Sequence, residues 1–193
     1  MSAAGMWDWA LMTGERFLAP LGRRWEHSRR VAALAQRVGP AFGPRAEELR
    51  AAAVLHDVGY APELALTGFH PLDGARFLRA QGHEELACLV AHHSGGRHEA
   101  KLRGIEEYEA EFPFGRSELD QALTYCDLTT GPDGTRMSLD ARIGELVARY
   151  GEDHVVARAI VASRREFEEA VIATERRVAD AGIEITGSLA LLR

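Results

Sequence analysis

Six side chains of two chemical kinds stand at the ends of apolar stretches: His27, His56 with Asp57, His70, His93 and Asp127. Imidazole and carboxylate together, without thiolate, are donors for divalent metals from magnesium to zinc, so the set names a metal site without selecting the metal. At its centre His56-Asp57 closes the run Ala51-Ala52-Ala53-Val54-Leu55. His27, His56, Asp57 and Asp127 would complete one site with open positions for water. His70 and His93, sharing Asp57 as a bridge, would complete a second. Two ions about 3.5 to 4 Å apart can bind a bridging hydroxide and hold the phosphoryl oxygens of a substrate for in-line attack.

Helical periodicity tests whether these residues turn inward. His56 shares a face with Leu49, Ala52 and Ala53, and His27 with Val31, Leu34 and Val38. Asp127 continues the stripe of Leu119 and Leu123, where an unpaired carboxylate is costly and a coordinated cation would offset the cost. His93 continues the face of Leu86, Leu89 and Val90, whereas His92 sits about 100° away, so His93 is the expected ligand and His92 a group that backs the ligands or faces the substrate, although the helix end could turn either toward the site. Any one of these histidines alone reads as a hydrogen-bonded core residue. Together they would each need a private partner if no metal were present. His83, His98 and His154 read as surface residues.

The elements that must position this set are helical nearly throughout, with apolar residues three and four apart and no convincing period-two alternation. The expected fold is all-α, a single domain over residues 1–193, with a metal-binding core at 24–130 and a C-terminal helical extension at 138–182. Helices are expected over 7–18, 24–38, 45–56, 71–80, 84–93, 99–109 and from Ser117 to about 129. Polar, glycine-containing loops are expected at 58–70 and His93-Ser94-Gly95-Gly96-Arg97, and a turn at Gly131-Pro132-Asp133-Gly134. Two longer helices, 139–150 and 153–181, follow. On the last, Phe167, Val171, Glu175 and Val178 form a stripe read as core packing, with a homodimer face as the alternative. The tail Ile183 to Leu192 is apolar enough to dock.

Composition narrows the function classes. The chain carries 29 acidic and 23 basic residues, a formal charge of -6, and no block of Lys and Arg that could track a phosphate backbone, so long nucleic acid is not an expected partner. A small anionic substrate is compatible, because a bound divalent cation reverses the local potential. No stretch approaches the roughly 18 apolar residues of a membrane span. Cys88 and Cys126, each in apolar surroundings, read as reduced thiols of a cytoplasmic protein.

The ordered set resembles the HD superfamily of metal-dependent phosphohydrolases. The resemblance rests on His27 in His-Ser-Arg-Arg-Val31, on Leu55-His-Asp-Val-Gly59 and on Ala122-Leu-Thr-Tyr-Cys-Asp127. His70 in His-Pro-Leu-Asp-Gly-Ala75 and the segment His93 to Arg97 resemble the dinuclear branch, and the loop from His93 to Arg97 is similar to the corresponding stretch of the bacterial diadenosine tetraphosphatase group, a likeness that does not extend past Gly131. What this implies is an α-helical fold, one or two divalent ions (iron or manganese first; cobalt, nickel, zinc or magnesium as alternatives) and hydrolysis of a phosphoester or phosphoanhydride, a nucleotide foremost. Asp57 would orient the nucleophile. Arg97, with Lys101 as the weaker candidate, reads either as a phosphate-neutralising group at the mouth or, with Lys101, as a solvated loop charge. Two departures stand out. Many relatives carry Lys where this chain has Tyr60, so a basic contact is missing, and the Gly-Tyr-Pro signature of cyclic-dinucleotide enzymes is absent after His93. The competing readings are a mixed-valent di-iron oxygenase acting on an organophosphonate or polyol, and a non-catalytic nucleotide sensor. Trp7, Trp9 and Trp25 read as core or lid packing rather than as a platform for a base.

Overall fold

The computed structural model describes residues 3–185, and the architecture is a bundle of α-helices with no strand among them; one isolated bridge joins Thr130 and Arg136. The helices are α1 (Ala3–Leu18), α2 (Arg23–Val38), α3 (Ala46–Leu55), α4 (His70–Ala80), α5 (Glu84–His92), α6 (Gly96–Leu102), α7 (Tyr108–Glu111), α8 (Glu118–Leu128), α9 (Leu139–Tyr150), α10 (Val155–Ala162) and α11 (Arg164–Asp180). Among the described residues no helix is long and apolar enough to cross a membrane.

α3 is the central element, and its composition explains why. Every residue from Ala51 to Leu55 is fully buried, and α1, α2, α5 and α8 all pack on it. Three consecutive alanines let neighbouring helices approach closely, and with no polar face the segment has nowhere to go but the core. The end of α3, and therefore His56-Asp57, is thus delivered to the middle of the molecule.

Local signals set the other ends. Ser117 closes a capping box with Asp120 at the start of α8, and Ser138 accepts from the Ala141 amide at the start of α9. Before α4, the buried Asp73 carboxylate accepts from the Thr67 and Gly68 amides and the Thr67 hydroxyl at 2.9 to 3.1 Å, clamping the loop that leads into His70. Gly59 lies where a Cβ would collide with the His70 carbonyl oxygen and the Gly74 amide, so only glycine lets α4 start against the end of α3. The tryptophans pack on the core: the Arg50 guanidinium covers Trp7 at 3.5 Å and His83 lies 3.9 Å from Trp9.

The structure corrects three expectations. The helix placed at 99–109 is two pieces, α6 starting earlier at Gly96 and the short α7, parted at Gly104, whose φ of +73° ends α6. The helix placed at 153–181 breaks at Ser163, whose buried hydroxyl sits where a Cβ on Gly95 would collide with it; the break lets α10 pack on α6 while α11 packs on α8. The buried stripe of α11 is Phe167, Ala170, Thr174 and Val178, with Glu175 exposed, and it packs within the chain. Ile183 and Ile185 pack against the core, and the remainder of the apolar tail, 186–192, lies outside the described residues.

Candidate metal centre

Five helix ends converge. His27 comes from the first turns of α2, His56 and Asp57 from the end of α3, His70 from the start of α4, His93 from the end of α5 and Asp127 from the end of α8. The structure brings all six together, and all but His70 are classed as buried. Donor atoms of His27, His56 and Asp57 lie within 4.8 Å of one another, as do those of Asp57, His70 and His93, so Asp57 belongs to both groups. Its Oδ2 is 3.6 Å from His56 Nε2, and its Oδ1 is 3.5 Å from His70 Nε2 and 3.9 Å from His93 Nε2. Asp127 Oδ1 stands 2.9 Å from His27 Nε2 and 3.8 Å from His56 Nε2.

Backbone carbonyls fix which ring nitrogen faces inward. His56 Nδ1 donates to Ala53 O at 2.7 Å and His93 Nδ1 to Val90 O at 2.5 Å. A carbonyl only accepts, so each Nδ1 carries the proton and each Nε2 presents a lone pair to the centre, the arrangement second-sphere groups impose on metal-bound histidine. His70 Nε2 and His93 Nε2 face each other at 3.1 Å. Burial and the neighbouring His93 hold the His70 pKa well below the usual range, and burial and His56 lower that of His93. These rings are therefore neutral ligands at ordinary pH.

The carboxylates are ionised against the pull of burial. Burial pushes Asp57 up, but the Arg24 guanidinium, whose Nη1 donates to Oδ2 at 2.7 Å, and the surrounding imidazoles hold it below the carboxylate range. Burial likewise opposes Asp127, and the His27 hydrogen bond with His56 and Arg142 outweighs it. Neutral imidazoles and ionised carboxylates, oriented from behind and converging, fit divalent metal ions. Cys126, whose thiol burial pushes up, has no such part.

Several contributors escaped sequence reasoning. Arg24, one turn before His27, pairs with Asp57 and lies 3.4 Å over the Tyr60 ring, which in turn stacks on His70 at 3.9 Å. A guanidinium from α2 thus stands over the Tyr60 ring, beside the donor cluster. Ser94 donates its hydroxyl to Asp127 Oδ2 from a left-handed backbone, φ +50°, a costly conformation for a serine and one that recurs at functional sites. Arg142 of α9 reaches to 3.8 Å from Asp127 Oδ1. With Arg23 and Arg149, Arg24 and Arg142 line a cavity of about 560 Å³ that opens onto the ligand cluster.

Three expected substrate contacts lie elsewhere. His92 Nε2 donates to Phe112 O at 2.6 Å and its ring packs against Phe114, so it lines a second, small cleft and not the cavity that His93 lines. Arg97 is held by Glu166 and Phe114 beside the same cleft rather than at the mouth of the metal cavity. Lys101 is exposed on α6, outside the cavity lining.

Such an arrangement, a helical bundle with a His/Asp cluster built around a His-Asp pair at a buried helix end, defines a class. Residues 24–143 match the HD domain family, and the chain belongs to it. A stretch of 83 residues is 35% identical to Ribonuclease Y of Rubrobacter xylanophilus, covering 42% of this chain and 15% of that protein. The chain therefore spans only a small part of that relative's length. No solved structure gave a significant match.

Proposed function

We propose that the protein is a metal-dependent phosphohydrolase that cleaves a phosphoester or phosphoanhydride of a small anionic metabolite, a nucleotide foremost. The observation that carries this reading is Asp57, shared by both donor groups at the floor of an arginine-lined cavity. Divalent ions held by His27, His56, Asp57 and Asp127, and by Asp57, His70 and His93, would activate a water and polarise a phosphoryl oxygen. The chain's own residues do the rest. Asp57 orients the nucleophile between the two donor groups, and Arg24, anchored on Asp57 Oδ2, offers its remaining N–H groups to phosphate oxygens. Ser94 fixes the rotamer of Asp127 by its hydrogen bond. The ribonuclease activity in the relative's name is hydrolysis of a phosphodiester and belongs to the same reaction class.

The test is phosphate release from a panel of nucleotides and p-nitrophenyl phosphate by protein loaded with manganese or iron, run with and without oxygen. Oxygen-independent release that disappears in Asp57→Asn supports hydrolysis. Oxygen consumption coupled to product, with no phosphate released anaerobically, would establish the di-iron oxygenase instead.

A further inference from the structure

The wall of the cavity contributed by α9 carries its own message. Arg142 is 5% exposed, yet its guanidinium is only partly paired. Nη1 donates to Glu145 Oε2 at 2.6 Å, Nη2 stops at 3.8 Å from Asp127 Oδ1, beyond hydrogen-bond reach, and the buried Nε has no partner. A buried cation left this incomplete is costly unless something else completes it. Arg149, seven residues on and on the same face of α9, donates to the other oxygen of Glu145. One carboxylate thus braces two arginines, and both line the metal cavity.

The charge of the cavity says what would complete them. Four arginines line it against as many carboxylates. Divalent cations seated among the carboxylates and neutral histidines would leave it strongly positive. Arg24 stands on the Asp57 side of the donor cluster, whereas the α9 arginines, braced by Glu145, stand on the Asp127 side, so a ligand that engages both sides needs more than one anionic group. Arg142 lies at the edge of the 24–143 match to the HD family, and Glu145 and Arg149 lie just beyond it.

We propose that the Arg142–Glu145–Arg149 face of α9 is a specificity wall that selects ligands with a phosphate chain, two or more linked phosphoryl groups, over those with one. The proposal rests on the phosphohydrolase reading for its chemistry, but its test is a binding measurement that needs no turnover. Titration calorimetry on the metal-loaded full chain compares two non-hydrolysable probes, methylenediphosphonate and methylphosphonate, with metal content measured before and after. Wild type is expected to bind the diphosphonate at least about tenfold more tightly. Arg142→Gln is expected to weaken the diphosphonate roughly ten- to a hundredfold, the loss of charge-assisted hydrogen bonds, and methylphosphonate by less than about threefold, the two affinities being compared at equal metal occupancy.

Should Arg142→Gln fail to fold, Arg149→Gln, on a half-exposed side chain, must shift the same ratio in the same direction. Equal weakening of both probes, no weakening of either, or a wild type that does not discriminate overturns the wall. If the preference and its loss are seen but no phosphate is released from any ester or anhydride, the wall stands and the hydrolase reading fails.

Discussion

The turn from His92 to Arg97 has a cavity on each side, and the two treat their polar groups differently. In the metal cavity, lone pairs and charges are pooled. His70 Nε2 faces His93 Nε2 at 3.1 Å, and Asp57 lies within 4 Å of three imidazoles and one guanidinium. In the cleft behind the turn, about 70 Å³, opposite charges are settled against one another. Arg97 Nε donates to Glu166 at 3.2 Å, His98 reaches the same carboxylate at 3.0 Å, and His92 Nε2 is spent on Phe112 O. The His92 Nδ1, a buried acceptor without a donor, is the exception. Pooled groups of this kind are tolerated inside a protein when a shared cation completes them; cations already matched by carboxylates need nothing further. The difference separates a site from a scaffold across one turn.

The strongest way to break the comparison is to remove the shared member of the pool. Asp57→Asn is expected to lower kcat/KM by about a thousandfold or more, the upper end of what one electrostatic contributor costs, with metal content falling in the same preparation. Retained activity would show that Asp57 is not the hub. Chelation comes next. If metal binds the folded chain at about a hundred times its Kd, removing it costs about 2.7 kcal/mol and lowers Tm by roughly 5 to 10 °C. An unchanged melting curve after stripping to zero metal would mean that the imidazoles and carboxylates satisfy one another without an ion.

Adjacent histidines then sharpen the boundary. His93→Ala should take metal from about two ions per chain to one, while His92→Ala should leave metal content intact and act on stability alone through the lost bond to Phe112 O, about 1 to 3 kcal/mol. Equal metal loss in both variants would erase the distinction between the two sides of the turn. Gly59→Ala has an effect of similar size by a different route. The added methyl meets the His70 carbonyl and the Gly74 amide, so the start of α4 must shift, at about 1 to 3 kcal/mol. The ion held by His70 should be bound more weakly than the one held by His27, and equal affinities by calorimetry would show that α4 accommodates the methyl without moving His70.

What the sequence made legible follows the regularity of the elements. His27, His56 and Asp127 sit on helices with an unbroken apolar stripe, so the 3.6-residue period alone aims them inward. The separation of His93 from His92 came from the same argument. Ser94 was not legible. Ser-Gly-Gly reads as a loose loop, but here the serine is held left-handed and the two glycines sit where side chains would collide with Ser163 and the Ala91 carbonyl, so the segment is a closely packed turn. The break at Ser163 had no Gly or Pro to announce it; it exists because α10 and α11 pack on different partners. Arg24 shares the His27 face, one turn away, and could have been found by the test applied to the ligands. Arg142 could not, since its place depends on α9 folding back over the cavity through Leu128, Ile143, Leu146 and Ile160, a contact that no local pattern encodes.

Arg97 gives the smallest and most discriminating test, because sequence spacing puts it beside the metal ligands while the fold assigns it to the scaffold. Its side chain is 25% exposed and paired with Glu166, which is similarly exposed. Pairs of that kind contribute about 0 to 1 kcal/mol, because solvent screens the attraction and ordering two long side chains costs entropy. Arg97→Gln should therefore lower Tm by no more than about 4 °C and leave KM within about twofold of wild type, a change well below the roughly tenfold that loss of one charged phosphate contact produces. A tenfold rise in KM at unchanged Tm would mean that Arg97 leaves Glu166 and swings to the mouth of the metal cavity when substrate is bound. In that case the turn between the cavities would be a moving part of the site, and the Arg97–Glu166 pair would be its resting position.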